Sequence, residues 1–247
     1  MKRAFPILAI LTAGLLSYAL YEALVVAPTD RLQGDVYRII YYHVPSAWTM
    51  FTFFAINFVA SVVYLIRRNL KADAVAVAAA EVGVVFNTVV LVTGPLWARP
   101  VWGIWWTWDI RLTSTLVLWL IYVSYLLLRR FSAGAQMPLL AAALAVFGAL
   151  DMPLVYFSIW FFRTQHPQPV VGGGGSIDPK MLQVWMLNWL AFECFGLLVF
   201  WSRYRLEVVR RELEETQARD SQLEVGNSRR TPFMRPTSRH GSFTSPI

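Results

Sequence analysis

Residues 74–96 read AVAVAAAEVGVVFNTVVLVTGPL, with a single ionisable side chain, Glu81, in the whole run. At about 1.5 Å rise per residue a helix of that length reaches about 35 Å, enough to cross a hydrocarbon core of about 30 Å. Outward from this run lie five more stretches that reach or approach the same length: residues 5–27, 44–66, 112–128, 138–162 and 181–202. Residues 112–128 form the shortest of them. Trp105, Trp106 and Trp108 stand just before it and would continue it as an interfacial aromatic belt. Composition agrees, since the chain is 57% hydrophobic and 15% charged, against about a quarter charged for a soluble domain. The expected fold is an all-α integral membrane protein with six transmembrane helices. Residues 1–202 form its membrane domain, and residues 203–247 a charged, partly disordered cytoplasmic tail.

The first stretch has Lys2 and Arg3 before an apolar run, as a secretory signal does. It is too long for one, and it carries Tyr18, Tyr21 and Leu24 where a small-residue cleavage site belongs. It is read as a retained helix. Lys2, Arg3, Arg67, Arg68, Lys71, Arg129, Arg130, Arg203 and Arg205 fall on one side of the six spans. Arg31, Arg38, Arg99, Arg111, Arg163 and Lys180 fall on the other, in longer segments that also hold Asp30, Asp35, Asp109 and Asp178. The positive-inside rule then places both termini in the cytoplasm and the loops 28–43, 97–111 and 163–180 outside. These basic flanks and the tail account for the net charge of +7 without a nucleic-acid partner.

The single cysteine, Cys194, lies within the sixth span; alone it makes neither an intramolecular disulfide nor a thiolate cluster. It reads as a small buried apolar residue. Residues 207–222 are highly charged and extend the last helix, whereas residues 227–247, rich in Ser, Arg, Pro and Thr, read as disordered. His240 sits in that tail and is expected to be inert.

The chain has 11 Trp, and residues 102–113, WGIWWTWDIRLT, hold four of them with Trp97 just upstream. Two readings fit. Tryptophan anchors proteins at the membrane interface, and dense indoles also make a stacking platform for a large flat ligand. Histidine bears on the choice. His43, in YYHVPSAW (residues 41–48), precedes the second span, and His166, in WFFRTQHP (residues 160–167), follows the fifth. A lone histidine at a helix end is ordinarily a cap or a solvated group. Here two fall on one face with the Trp loop between them, and paired neutral imidazoles are what a bis-His haem site needs. Zinc is poorly served, with no third His, Cys or carboxylate cluster outside.

Residues 102–113 resemble the tryptophan-rich "WWD" signature of the haem-handling protein family. Residues 41–48 and 158–166 are similar to the histidine-bearing loops of its cytochrome c maturation protein C (CcmC) branch. The likeness covers roughly residues 32–201, and six spans fit that branch rather than the larger members that join haem to apocytochrome. The resemblance implies a bacterial inner-membrane protein that holds b-type haem on the periplasmic face. It would present haem to a CcmE-like chaperone, which attaches it through its own histidine, beside a CcmA-like ATPase, a CcmB-like permease and a CcmD-like small helper. On that resemblance His43 and His166 are the axial ligands. Trp102, Trp105, Trp106, Trp108 and Asp109 form the platform and chaperone contact. Arg111 is either a propionate partner or an interface arginine. Presentation of a ligand, not acid–base catalysis, is the expected mechanism.

No G-x-x-x-x-G-K-[ST] loop occurs, so ATP hydrolysis belongs elsewhere. Residues 172–175, GGGG, lack the following Lys-Ser/Thr and read as a flexible outer loop. Two other functions remain open. A haem-moving permease subunit of an ABC complex would use intramembrane polar residues, of which Glu22, Asn57, Glu81, Asn87, Asp151, Asn188 and Glu193 are the candidates. A scaffold would need no haem.

Overall fold

The computed structural model describes residues 4–132, 134, 136–168 and 177–230, the last seven by backbone alone. Residues 172–175, His240 and residues 231–247 lie outside the described residues. The elements in order are α1 (Ala4–Tyr21) with a wider turn at Glu22–Val26, a 3-10 turn at Asp35–Ile39, α2 (Ile40–Arg67) and α3 (Leu70–Trp102). Then come α4 (Ile110–Phe131), α5 (Met137–Ala149), α6 (Asp151–Phe161) and α7 (Pro179–Arg230). Within the described residues six helical segments are long and apolar enough to cross a membrane, α5 and α6 together making the fifth.

Burial is arranged as lipid demands. Large apolar side chains point outward, among them Ile10 at 72% and Ile66 at 75% exposure, while Ser46, Thr49, Asn57, Ser61 and Asn87 are fully enclosed between helices. Without a hydrophobic gain between helices, close packing and interhelical hydrogen bonds hold such a bundle. Small residues permit the closest approaches. A Cβ on Gly83 would run into the Phe54 ring, and one on Gly196 into Phe53. Phe54 then stacks on Tyr122 with ring centroids 3.7 Å apart, joining α2 to α4. The chain is therefore an all-α, multi-span membrane protein.

Three boundaries differ from the sequence expectation. α3 continues through Pro95 and Pro100 to Trp102 and ends at Gly103, in the left-handed region with φ 79°. The Trp loop is accordingly 103–109, and Trp97 belongs to a helix. α2 begins at Ile40, so His43 lies inside its first turn, two residues before Pro45, and does not precede it. The fifth span breaks at Leu150 into α5 and α6, and Asp151 opens α6 with Oδ2 buried and unpaired. Proline removes one backbone donor, but neighbouring helices support the backbone in a membrane bundle, so proline does not end a span there.

Away from the histidines, the bundle is pinned where α4 ends and α3 begins. Arg129 donates to both Asp73 oxygens at 2.8 and 2.6 Å, with both side chains buried. The bundle comprises residues up to Glu207. Beyond it the charged helical backbone runs to Arg230, taking in residues 227–230 expected to be disordered, and carries an Arg210–Glu214 pair at 2.9 Å.

Candidate functional site

At the bundle end away from the Arg129–Asp73 pair, a cavity of about 250 Å³ opens between α2, α3, α4, α6 and α7. His43, His166, Trp102, Trp106 and Arg111 all line it, so five of the residues singled out in the sequence converge from five separate segments. Trp105 and Trp108 do not: they are 56% and 77% exposed and face away from it. Of the four Trp in residues 102–113, two thus line the cavity and two are exposed outside its lining. Trp106 meets Trp108 edge-on at 5.8 Å, and Trp102 meets Trp97 edge-on at 5.0 Å. Asp109 is partly buried, its carboxylate engaged in holding the loop.

The two imidazoles face each other with ring centroids 6.5 Å apart and planes inclined by 32°. That separation leaves room for one metal ion between the rings at about 2 Å per nitrogen bond. Their tautomers follow from their neighbours. Thr93 donates its hydroxyl proton to the Val89 carbonyl at 2.7 Å, so toward His43 it acts as acceptor. His43 Nδ1–H is then the donor in the 2.9 Å contact with Thr93 Oγ1. His166 Nδ1–H donates to the Pro167 carbonyl at 2.9 Å. Each Nε2 is left as a free lone pair, the arrangement in which a ligating histidine is oriented through its other nitrogen. Burial first, and then the Arg111 guanidinium, push the His166 imidazole down to about 3 from its ordinary 6.5. It is neutral at physiological pH. Among the described residues no group of three or more His, Cys, Asp or Glu gathers here, so a bare ion would meet two protein ligands.

Two donors at the cavity wall lack partners among the described residues: Arg111 Nη1 and Trp106 Nε1 are buried and unbonded there. A buried unpaired guanidinium or indole N–H costs free energy of about 1–3 kcal/mol, more for a charge, unless a ligand supplies an acceptor. The remaining wall is largely apolar and aromatic, with Trp48, Phe51, Tyr156 and Trp185 below the histidines. A flat apolar ring carrying carboxylates and a central metal suits such a wall in all three respects.

Sequence reading missed several residues of this site. Thr93 orients His43, and Gln33 lines the cavity while accepting from Trp97 Nε1 at 2.8 Å. Both act across about 50 residues or more of chain, and no local pattern marks them.

The comparisons with known proteins agree with one another. A family model described as "Heme exporter protein C" matches residues 1–219. Heme exporter protein C of Bradyrhizobium diazoefficiens is 36% identical over 218 residues, 87% of this chain and 82% of that protein. The Escherichia coli K12 protein of the same name is 38% identical over 180 residues, 70% of this chain and 69% of its own. A putative cytochrome c biosynthesis ccmC-like mitochondrial protein of Arabidopsis thaliana is 33% identical over 199 residues, 79% of this chain and 75% of its own.

Proposed function

The chain belongs to the Heme exporter protein C family, and from that premise we propose that it holds haem at the periplasmic face of the bacterial inner membrane and presents it to a CcmE-like chaperone. Its part in haem handling for c-type cytochrome biogenesis is the family's. The reading of ligands and face is ours. The observation that carries it is the pair of imidazoles, 6.5 Å apart at one cavity, each with Nδ1 engaged.

In this reading His43 and His166 would hold the iron of b-type haem, and Trp102 and Trp106 would pack against the porphyrin. Arg111 pairs with a propionate. Trp105 and Trp108, turned outward, form the surface that the chaperone meets, where exposed aromatic side chains favour a protein contact. Haem when bound supplies the vinyl group to be joined. The protein's own part is to fix the ring so that one edge stays reachable and to keep water from the rest. A CcmA-like ATPase, a CcmB-like permease and a CcmD-like helper complete the assembly, and this chain does no nucleotide chemistry.

Translocation through this chain draws little support from five of its seven candidate polar residues, whereas Asn87 and Asp151 Oδ2 are buried without a hydrogen-bond partner among the described residues and are the two such a path would rest on. Asn57 donates to the Ala76 carbonyl, Asn188 to Ala19 and Val184, and Glu193 accepts from Thr52 and Trp189. Lys180 pairs with Glu22, and Arg203 with Glu81. These groups tie helices together. Haem uptake by vesicles holding this chain alone would favour the permease reading.

Sidedness has a direct test in a Cys194→Ser background. Trp108→Cys should react with an impermeant maleimide in intact spheroplasts while Arg67→Cys should not. The opposite pattern would invert the orientation.

A further inference from the structure

We propose that Asp109 and Thr164 form a latch that positions His166 for the iron, an inference that rests on the ligand reading above. Among the described residues the ring of His166 has one hydrogen bond, a local one to the carbonyl of the next residue, Pro167. It stands beyond the end of α6 in a segment without regular helix, so neither its own helix nor its ring contact fixes its place relative to His43. The missing tie is the Asp109 carboxylate. Its Oδ1 accepts from the Leu112 amide at 3.0 Å and so caps α4. Its Oδ2 accepts from the Thr164 hydroxyl at 3.0 Å, from the Thr107 hydroxyl at 3.3 Å and from the Gln165 amide at 3.4 Å.

Thr164 uses both halves of its hydroxyl. The proton goes to Asp109, and a lone pair accepts the His166 amide at 3.1 Å. One carboxylate therefore joins the start of α4 to the loop of His166. Arg111 follows two residues later on α4, so the same carboxylate sets the guanidinium and the imidazole against each other. Hydrogen bonds to an ionised acceptor are roughly twice as strong as neutral ones, which suits a group that must hold a loop. The WWD aspartate is by this account a positioning residue, and its effect reaches the iron through Thr164.

The test uses the full chain purified with haem, read by the spin state of the ferric iron. Thr164→Val keeps the shape and removes the hydroxyl. It should move at least half of the haem from six-coordinate low-spin to five-coordinate high-spin, and added imidazole should restore the low-spin form. His166→Ala should behave in the same way, and Thr164→Ser, which keeps the hydroxyl, should remain low-spin. If Thr164→Val does not give monodisperse protein, Thr164→Ala removes the same hydroxyl with no methyl group to place. A low-spin spectrum in the hydroxyl-free variants, with His166→Ala turned high-spin, would sink the latch and leave the ligand reading standing. A low-spin spectrum in His166→Ala itself would remove the ligand and the latch together.

Discussion

His43 and His166 reach the same cavity from unlike supports. His43 lies within the first turn of α2, and its ring is held by Thr93 on α3, two long helices packed along their length. His166 lies past the end of α6, with its ring bonded to its neighbour Pro167 and its backbone held at a distance by Asp109. Sites on helices are held more precisely than sites on loops, and loops supply the motion that release requires. An imidazole held between helices and one held on a loop would suit the proposed role of holding haem and then giving it up. His43 would be the anchor and His166 the ligand that lets go.

Breaking the anchor should have the largest effect. His43→Ala should weaken haem binding more than a hundredfold, about 2.7 kcal/mol or more, whereas His166→Ala should keep more haem in a five-coordinate, high-spin form. Pyridine haemochrome assay of the two variants at matched expression measures the difference, and equal losses would erase the asymmetry. Next in size is the support of the anchor. Thr93→Val should weaken haem binding by about 10–100-fold, the usual cost of removing a partner that orients a metal-ligating histidine, and Thr93→Ser should recover it. A titration of haem into the purified apoprotein would read both.

Smaller again is the effect of the stacking wall. Trp106→Ala should cost about 0.5–1.5 kcal/mol of haem binding, with Phe recovering much of it, and should keep the low-spin spectrum. Trp105→Ala, on the outward side, should leave haem occupancy unchanged while haem transfer to the chaperone falls. Equal behaviour of the two would return the whole loop to the role of membrane anchor.

The smallest expected effect is that of pH. The His166 imidazole, depressed to about 3, binds no proton in the folded state between roughly pH 3 and its ordinary 6.5. The unfolded chain does take one there, so its contribution to stability is complete above 6.5 and declines as pH falls toward 3. Proton competition for the iron-binding nitrogen is shifted the same way. Haem retention should stay flat from pH 8 to pH 5, and a midpoint near 6.5 would mean that the ring is open to solvent.

The spans were legible because apolar length is written directly in the chain: residues 74–96 and their five counterparts match six helical spans to within a residue of overrun, apart from the break at Leu150. The Trp string and both histidines were legible because their residue types are rare and clustered. The third span ends six residues beyond the expected residue 96, because nothing in the sequence marks a helix that runs on through Pro100 to Trp102 with neighbouring helices supporting its backbone. The threonines were illegible for another reason. A threonine after an apolar run looks like any other, and Thr93 and Thr164 gain their roles only through partners 50 and 55 residues away. The exposed or enclosed fate of each indole was equally hidden, because it depends on how Gly103 turns the chain at the end of α3.

The measurement that bears most directly on the central claim is the low-temperature electron paramagnetic resonance spectrum of the ferric, haem-loaded wild-type chain beside the His43→Ala/His166→Ala double variant. Two axial imidazoles predict a low-spin signal in the wild type and its disappearance in the double variant. A low-spin signal of the same shape in both proteins would contradict the assignment of these two histidines to the iron.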